Sequence, residues 1–285
     1  VLDKNAAMLD LTKLGFNAKA LDVLRECARK PHGMILTCGP TGSGKTTTLY
    51  SVLKFIDSTE KNIVTVEDPV EYQMKGINQV NIKPQVNLTF ASALRAILRQ
   101  DPDVVMIGEI RDFETLDVAV KAALTGHLVL SSLHTTTAAG SIIRMMNMGI
   151  EPFLICSSVL SIVAQRLLRK LCDKCKEPYD VPDYLVQKLG LSTMKLEHKP
   201  TFFKAKGCRH CFDLGYRGRV GITEVMLLSP TVKKLILDHA GEMKIKEMAR
   251  QEGMVTMRED ALLKAAVGLT SIEEVVRVTA VDEKV

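Results

Sequence analysis

Gly39-Pro40-Thr41-Gly42-Ser43-Gly44-Lys45-Thr46 follows the apolar run Met34-Ile35-Leu36-Thr37-Cys38 and opens onto a helix-compatible segment from Thr47 to Ile56. Read in order, this is a strand, a phosphate loop and a helix. Glycines at 39, 42 and 44 permit positive φ, so successive backbone N–H groups can turn inward around a polyphosphate at a helix N-terminus. Lys45 is then placed to reach the β and γ phosphates and Thr46 to ligate magnesium. Pro40, Thr41, Ser43 and Thr47 complete the nucleotide-binding stretch. A Gly-rich turn without a ligand, the plainer alternative, leaves Lys45 unexplained.

Outward from the loop the pattern is α/β. Asn17 reads as the N-cap of an amphipathic helix that ends before Pro31, with Leu21, Leu24 and Ala28 on one face. β-rich runs at 62–67, 77–82, 104–107 and 128–133 interleave with helical patterns at 90–99 and 113–124. Several of these runs are continuously apolar, as expected of buried strands in a sheet covered on both faces. Beyond Gly149 the expectation is a long helix from Pro152 to Leu171, a cysteine-bearing insert, and a strand pair or ribbon over Arg219–Leu228. Helices near 231–239, 244–251, 257–266 and 272–278 follow.

Composition narrows the classes. With 285 residues, 46% hydrophobic and 25% charged, the chain can bury one large core or two modest ones. Its net charge of +5 comes from 38 basic and 33 acidic residues spread along the length, so nucleic-acid binding has no concentrated patch to rest on. No apolar run approaches the roughly 18–20 residues that span a bilayer, and the first residues lack the layout of a secretory signal; both point to the cytosol. Starting at Val1 in the middle of a polar–apolar pattern, the chain reads as a fragment whose upstream domains are missing.

Two acidic motifs follow the phosphate loop. Glu67-Asp68-Pro69-Val70-Glu71-Tyr72 puts three carboxylates just past a strand end, where open α/β sheets bind ligands. One of them can polarise a water for in-line attack on a γ phosphate; a solvated acidic turn is the other reading. Val104-Val105-Met106-Ile107-Gly108-Glu109 has the shape of a Walker B strand, with Gly108 where an Asp is common and Glu109 as the acid. Alternatively, Glu109 pairs with Arg111. Asp112, with Glu114 beside it, reads as a helix N-cap.

His127 and His134 bracket the next strand, which if extended holds them roughly 23 Å apart. They cannot both touch one phosphate. His134, at the C-terminal end, is positioned to sense the γ phosphate, and His127 reads as a packing or subunit contact. Cys172-x-x-Cys175 and Cys208-x-x-Cys211, 32 residues apart, form two knuckles able to close a tetrahedral zinc site of four thiolates. Such a site has a net charge of about −2, which Lys174, Lys176, Arg209 and His210 are placed to offset. It has no open coordination position, so its role is structural. Two disulfides are the alternative; in a reducing cytosol they are the poorer one. Cys27, Cys38 and Cys156 read as core residues.

Jointly, the phosphate loop, the acidic box, the Gly108-Glu109 strand end, the two histidines and the tetracysteine insert resemble the secretion ATPase superfamily, most closely the type II secretion and type IV pilus assembly ATPases. The resemblance implies an α/β fold: a RecA-like P-loop NTPase core over 17–171, a zinc-binding insert over 172–216 and a C-terminal helical subdomain over 217–285, with 1–16 a remnant of an upstream domain or linker. It implies a cytoplasmic homohexamer, peripheral at the bacterial inner membrane, that spends ATP to move a platform protein there. Glu71 is then the water-activating base, Glu109 supports magnesium, and Glu67 and Asp68 support the box. Arginines reaching the γ phosphate come largely from a domain upstream of Val1 in that family. Its retraction members lack the tetracysteine insert, which favours assembly or secretion here. The cofactors implied are ATP, Mg²⁺ and Zn²⁺, and no nucleic acid. A RecA-like nucleic-acid translocase and a non-hydrolysing nucleotide switch are the alternatives; aromatic content of 5% without tryptophan argues against the first, and Glu71 and Glu109 argue against the second.

Overall fold

The computed structural model of the protein describes residues 10–189 and 201–279. Parts of the expected upstream remnant (1–9), insert (190–200) and C-terminal region (280–285) lie outside the described residues. In chain order the elements are α1 (Ala18–Ala28), β1 (Gly33–Cys38), α2 (Lys45–Ile56), β2 (Ile63–Glu67), β3 (Asn78–Asn81), α3 (Phe90–Ile97), β4 (Val104–Ile107), α4 (Phe113–Leu124), β5 (Leu128–Leu133), α5 (Ala138–Asn147), α6 (Pro152–Ser158) and β6 (Val159–Leu171). They continue with β7 (Glu177–Pro178), α7 (Asp183–Lys188), β8 (Phe203–Lys204), β9 (Tyr216–Leu227), α8 (Pro230–Leu237), α9 (Glu242–Gln251), α10 (Met257–Ala266) and α11 (Ile272–Thr279). No helix among the described residues is long and apolar enough to cross a membrane.

Chain contacts divide the protein into two compact units, Val1–Gln165 with Thr223–Met254, and Arg166–Ile222 with Val255–Val285. The first is built on a sheet of order β3-β2-β4-β5-β1-β6-β9. The pairs β3–β2, β2–β4, β4–β5, β5–β1 and β1–β6 are parallel. Every residue of β1, β2, β4 and β5 is buried, because crossover helices cover the faces of a parallel sheet. Leu24 and Ala28 of α1 and Leu49 and Leu53 of α2 close one side of this core against Ile35, Leu130 and Val163. The helix starts follow their caps: the Asn17 side chain accepts from the Ala20 amide at 2.9 Å, and that of Asp112 from the Thr115 amide at 2.8 Å; each such cap is worth about 1 kcal/mol.

The long helix expected over Pro152–Leu171 is corrected. Helix stops at Ser158, and Val159–Leu171 is a strand lying parallel beside β1, with Leu36 opposite Ile162 and Thr37 opposite Val163. Within a sheet covered on both faces a strand loses its alternation, and an apolar run then reads equally well as helix. The hydroxyls of Ser157 and Ser158 donate to the carbonyls four residues back, each at 2.7 Å, where the helix ends. The pair or ribbon expected near Arg219 is instead one strand, β9, whose sheet neighbour is β6. Cys27, Cys38 and Cys156 are buried, as expected of core residues.

The second unit holds the distal half of β6, the β7–β8 antiparallel pair, α7, α10 and α11. Its charged centre is Glu274, fully buried. One carboxylate oxygen accepts from the Arg169 backbone at 2.9 Å and the other from the Arg169 guanidinium at 2.8 and 3.0 Å; Arg277 reaches both.

Candidate active site

Parallel strands bring their C-terminal ends to one edge of a sheet, and here that edge collects the expected residues. Register pairs Cys38 with Leu133 and Ile107 with Ser131, so the loop after β1, Glu109 after β4 and His134 after β5 all leave the sheet together. Glu67 is the last residue of β2. The loop bends through positive φ at Gly39, Gly42 and Gly44 (144°, 77° and 94°). At Gly39 a β-carbon would lie 2.4 Å from the Gln165 carbonyl oxygen and 2.7 Å from the Ser43 hydroxyl, which leaves room for glycine alone. Ser43 is buried with its hydroxyl unpartnered, a polar atom that a bound phosphate would satisfy. Lys45 folds over the loop and donates to the carbonyls of Gly39 at 2.8 Å and Pro40 at 3.2 Å. Burial lowers its pKa, and the nearby thiol of Cys38 and carboxylate of Glu109 oppose that shift. Thr46 and Thr47 stand half-buried in the first turn of α2. Glycines, orphaned hydroxyl and lysine together fit a polyphosphate.

Glu109 and His134 are brought into direct contact, with the His134 Nε2–H donating to the Glu109 carboxylate at 2.6 Å. Arg111 holds the other Glu109 oxygen and lies 4.0 Å from Asp68. The alternative reading of Glu109, a pair with Arg111, is thus present in the structure. Burial alone would raise the Glu109 pKa; Arg111 and His134 outweigh it and hold the carboxyl below its usual range. The group is therefore ionised, as a magnesium-supporting carboxylate must be. His127 sits at the opposite end of β5, its ring nitrogen 3.1 Å from the Ala122 carbonyl.

Glu71 is exposed. It lines a cavity of about 840 Å³ together with Val70, Tyr72, Met74 and Gln79, in which no residue of the Gly39–Thr46 loop takes part. Sequence reasoning missed Gln165, whose side-chain amide donates to the Ser43 carbonyl at 2.9 Å from behind the loop. Its signal was hidden in the run read as helix. It also missed Tyr50 and Gln79, which carry no motif and meet Glu67 only through the fold.

The four cysteines of the second unit converge, all Sγ atoms lying within 4.8 Å of one another. Separations are 4.0 Å for Cys172–Cys208 and 3.8 Å for both Cys175–Cys211 and Cys208–Cys211. A tetrahedron with legs of about 2.3 Å has edges of about 3.8 Å, whereas a disulfide needs about 2.05 Å. Backbone N–H groups of Cys208 and Gly215 donate to the Cys211 sulfur at 3.3 and 3.2 Å, the support a thiolate requires. Lys176 caps the neighbourhood, donating to the Gly268 carbonyl at 2.9 Å with its ammonium 4.9 Å from the Phe203 ring centre. The donor set fits zinc.

A family model described as Type II/IV secretion system protein matches residues 1–277. The chain belongs to this family. Members similar to it include the Type II secretion system ATPase E of Vibrio cholerae, 51% identical over 279 residues (98% of this chain, 55% of that protein). Type IV pilus assembly ATPase PilB of Myxococcus xanthus is 50% identical over 283 residues (99% and 50%). The chain thus spans about half the length of the curated relatives it matches. Among solved structures, the pilus retraction motor PilT with bound ADP superposes with a TM-score of 0.70 at 29% identity, over 94% of this chain and 66% of that one. The P-loop α/β core expected from the sequence is the fold these secretion-family ATPases share.

Proposed function

We propose that this secretion-family protein hydrolyses ATP with magnesium as a cytoplasmic homohexamer, peripheral at the bacterial inner membrane, and drives a platform protein of a type IV pilus or type II secretion machine. The observation that carries the reading is the phosphate loop at the β1–α2 junction, with Glu109 and His134 at the ends of the adjoining strands. The amides of Gly39 to Thr47 cradle the phosphates at the start of α2, where the helix dipole favours negative charge. Lys45 exchanges its two carbonyl partners for β and γ oxygens. Thr46 and Glu109 would hold the cation. Magnesium, when bound, neutralises charge on the β and γ oxygens. Glu71 orients and deprotonates the attacking water, and His134, tied to Glu109, reports on the γ phosphate.

In the second unit Cys172, Cys175, Cys208 and Cys211 hold zinc, which when bound staples the two knuckles. Three segments suit the reading: 17–171 as RecA-like core, 172–216 as zinc insert and 217–285 as helical subdomain. The tetracysteine insert supports assembly or secretion over retraction.

The test is phosphate release across a protein concentration series with Mg-ATP, with and without unrelated DNA, beside metal analysis. Specific activity rising with concentration, no DNA effect and about one zinc per chain are expected. Stimulation by DNA would instead make the protein a translocase. Tight ATP binding without release in the full-length protein would make it a switch.

A further inference from the structure

Behind the acidic box lies a buried polar cluster to which the proposed chemistry assigns no role. Glu67 is 3% exposed and Tyr50 fully buried. The Tyr50 hydroxyl donates to one Glu67 oxygen, while the other accepts from Thr65 at 2.5 Å and from Gln79 at 3.2 Å. A carboxyl group placed there without these donors would be desolvated and unpaired, so the cluster is built around it. Its outer side grips the segment that carries Glu71. The Val70 amide donates to Asn81 at 2.6 Å, and the Met74 amide to the Gln79 side-chain oxygen at 2.7 Å. The Gln79 amide donates in turn to the Tyr72 carbonyl at 3.2 Å. The Tyr72 ring stands edge-on to Tyr50 with centroids 4.6 Å apart. Tyr50 belongs to α2, the helix whose first residue is Lys45.

We propose that Tyr50 and Glu67 are positioning residues for Glu71, fixing the Val70–Met74 segment to the helix that begins at Lys45. The inference rests on reading Glu71 as the base. Residues on both sides of Glu71 are pinned while its own side chain lines the cavity with no hydrogen-bond partner among the described residues, which is the arrangement a base needs when it must meet a water at a set place relative to the phosphates. Burial, with Glu67 beside it, raises the Tyr50 pKa and pushes that of Tyr72 up to about 12, so both phenols stay protonated and Tyr50 remains a donor.

The experiment is a double-mutant cycle in the full-length protein, read as single-turnover phosphate release and separately as ATP affinity. Glu71→Gln is expected to cost on the order of 10²-fold or more in rate. Tyr50→Phe, which keeps the ring, is expected to cost about tenfold in kcat with ATP affinity changed less than about twofold. Tyr50→Phe on top of Glu71→Gln is expected to add no further loss, because a residue acting only through Glu71 has nothing left to position. Glu67→Gln, which still accepts from Tyr50, should retain more rate than Glu67→Ala. A Tyr50→Phe protein with a lower melting temperature and unchanged kcat would make the hydroxyl a core hydrogen bond and overturn the assignment. Losses that multiply in the double variant would also overturn it. Full activity in Glu71→Gln alone would remove the base reading itself, a failure visible before Tyr50 is touched.

Discussion

On the proposed function Lys45 and Glu71 divide the work at the residue scale, and the division is measurable. The Lys45 ammonium stands among loop atoms, 2.8 Å from the Gly39 carbonyl, so Lys45→Ala should lose nucleotide affinity. No residue of the Gly39–Thr46 loop lines the cavity that Glu71 lines, so Glu71→Gln should keep ATP bound and stop turnover; a filter-binding assay beside phosphate release separates the two. Equal loss of binding in both variants would sink the assignment. The loop's geometry was legible because it is a local code: the positive-φ glycines and Lys45 take their places from backbone turns their own neighbours determine. The Glu109–His134 pair was legible in part, since both follow strands, but their hydrogen bond depends on β4 and β5 being neighbours. Gln165 and Tyr50 were illegible. Each gains its role from a partner more than 15 residues away in sequence, Ser43 and Glu67 respectively.

At the element scale the legible features were those with punctuation. α4 and α10 begin at Asp112 and Thr256 caps, and the expected 113–124 and 257–266 are the helices observed. β6 had no such marks at Val159, and burial on both faces removed the period that would have identified it. Its distal half shows what holds an unpunctuated strand in place: Arg169 on β6 and Arg277 on α11 share the buried carboxylate of Glu274. Burial alone would raise that carboxyl; Arg277 and Arg169 overcome it and hold it at about 2 against a usual 4.5. A carboxyl depressed by folding stabilises fully above its unfolded pKa and loses that contribution as pH falls through the folded one. Melting temperature should therefore decline as pH drops from about 4.5 towards 2. In Glu274→Gln, destabilised at neutral pH by about 2–4 kcal/mol because two arginines lose their countercharge, the decline over the same window should be shallower. Identical acid profiles for the two proteins would show that the ion pairs contribute nothing to this transition.

On the scale of the whole molecule, chemistry is partitioned by unit: Gly39 to Thr47, Glu71, Glu109 and His134 fall in Val1–Gln165, whereas all four cysteines fall in Arg166–Ile222. A closed four-thiolate site offers no coordination position to substrate, so metal and nucleotide should be separable. Three of the six sulfur pairs already stand at 3.8 to 4.0 Å, and removing one sulfur leaves three thiolates to repel one another without a full cage for the cation. Cys172→Ser is thus expected to lose bound zinc and to lower the melting temperature. Its affinity for ATP should stay within about twofold of the parent, as independent sites do. Metal analysis, thermal melts and a fluorescent-nucleotide titration on one preparation decide the matter. Zinc retained at the parent level would remove the metal assignment. ATP affinity lost in step with zinc would mean that the cysteine site and the phosphate loop are energetically one, and that the insert takes part in each nucleotide cycle instead of serving as a staple.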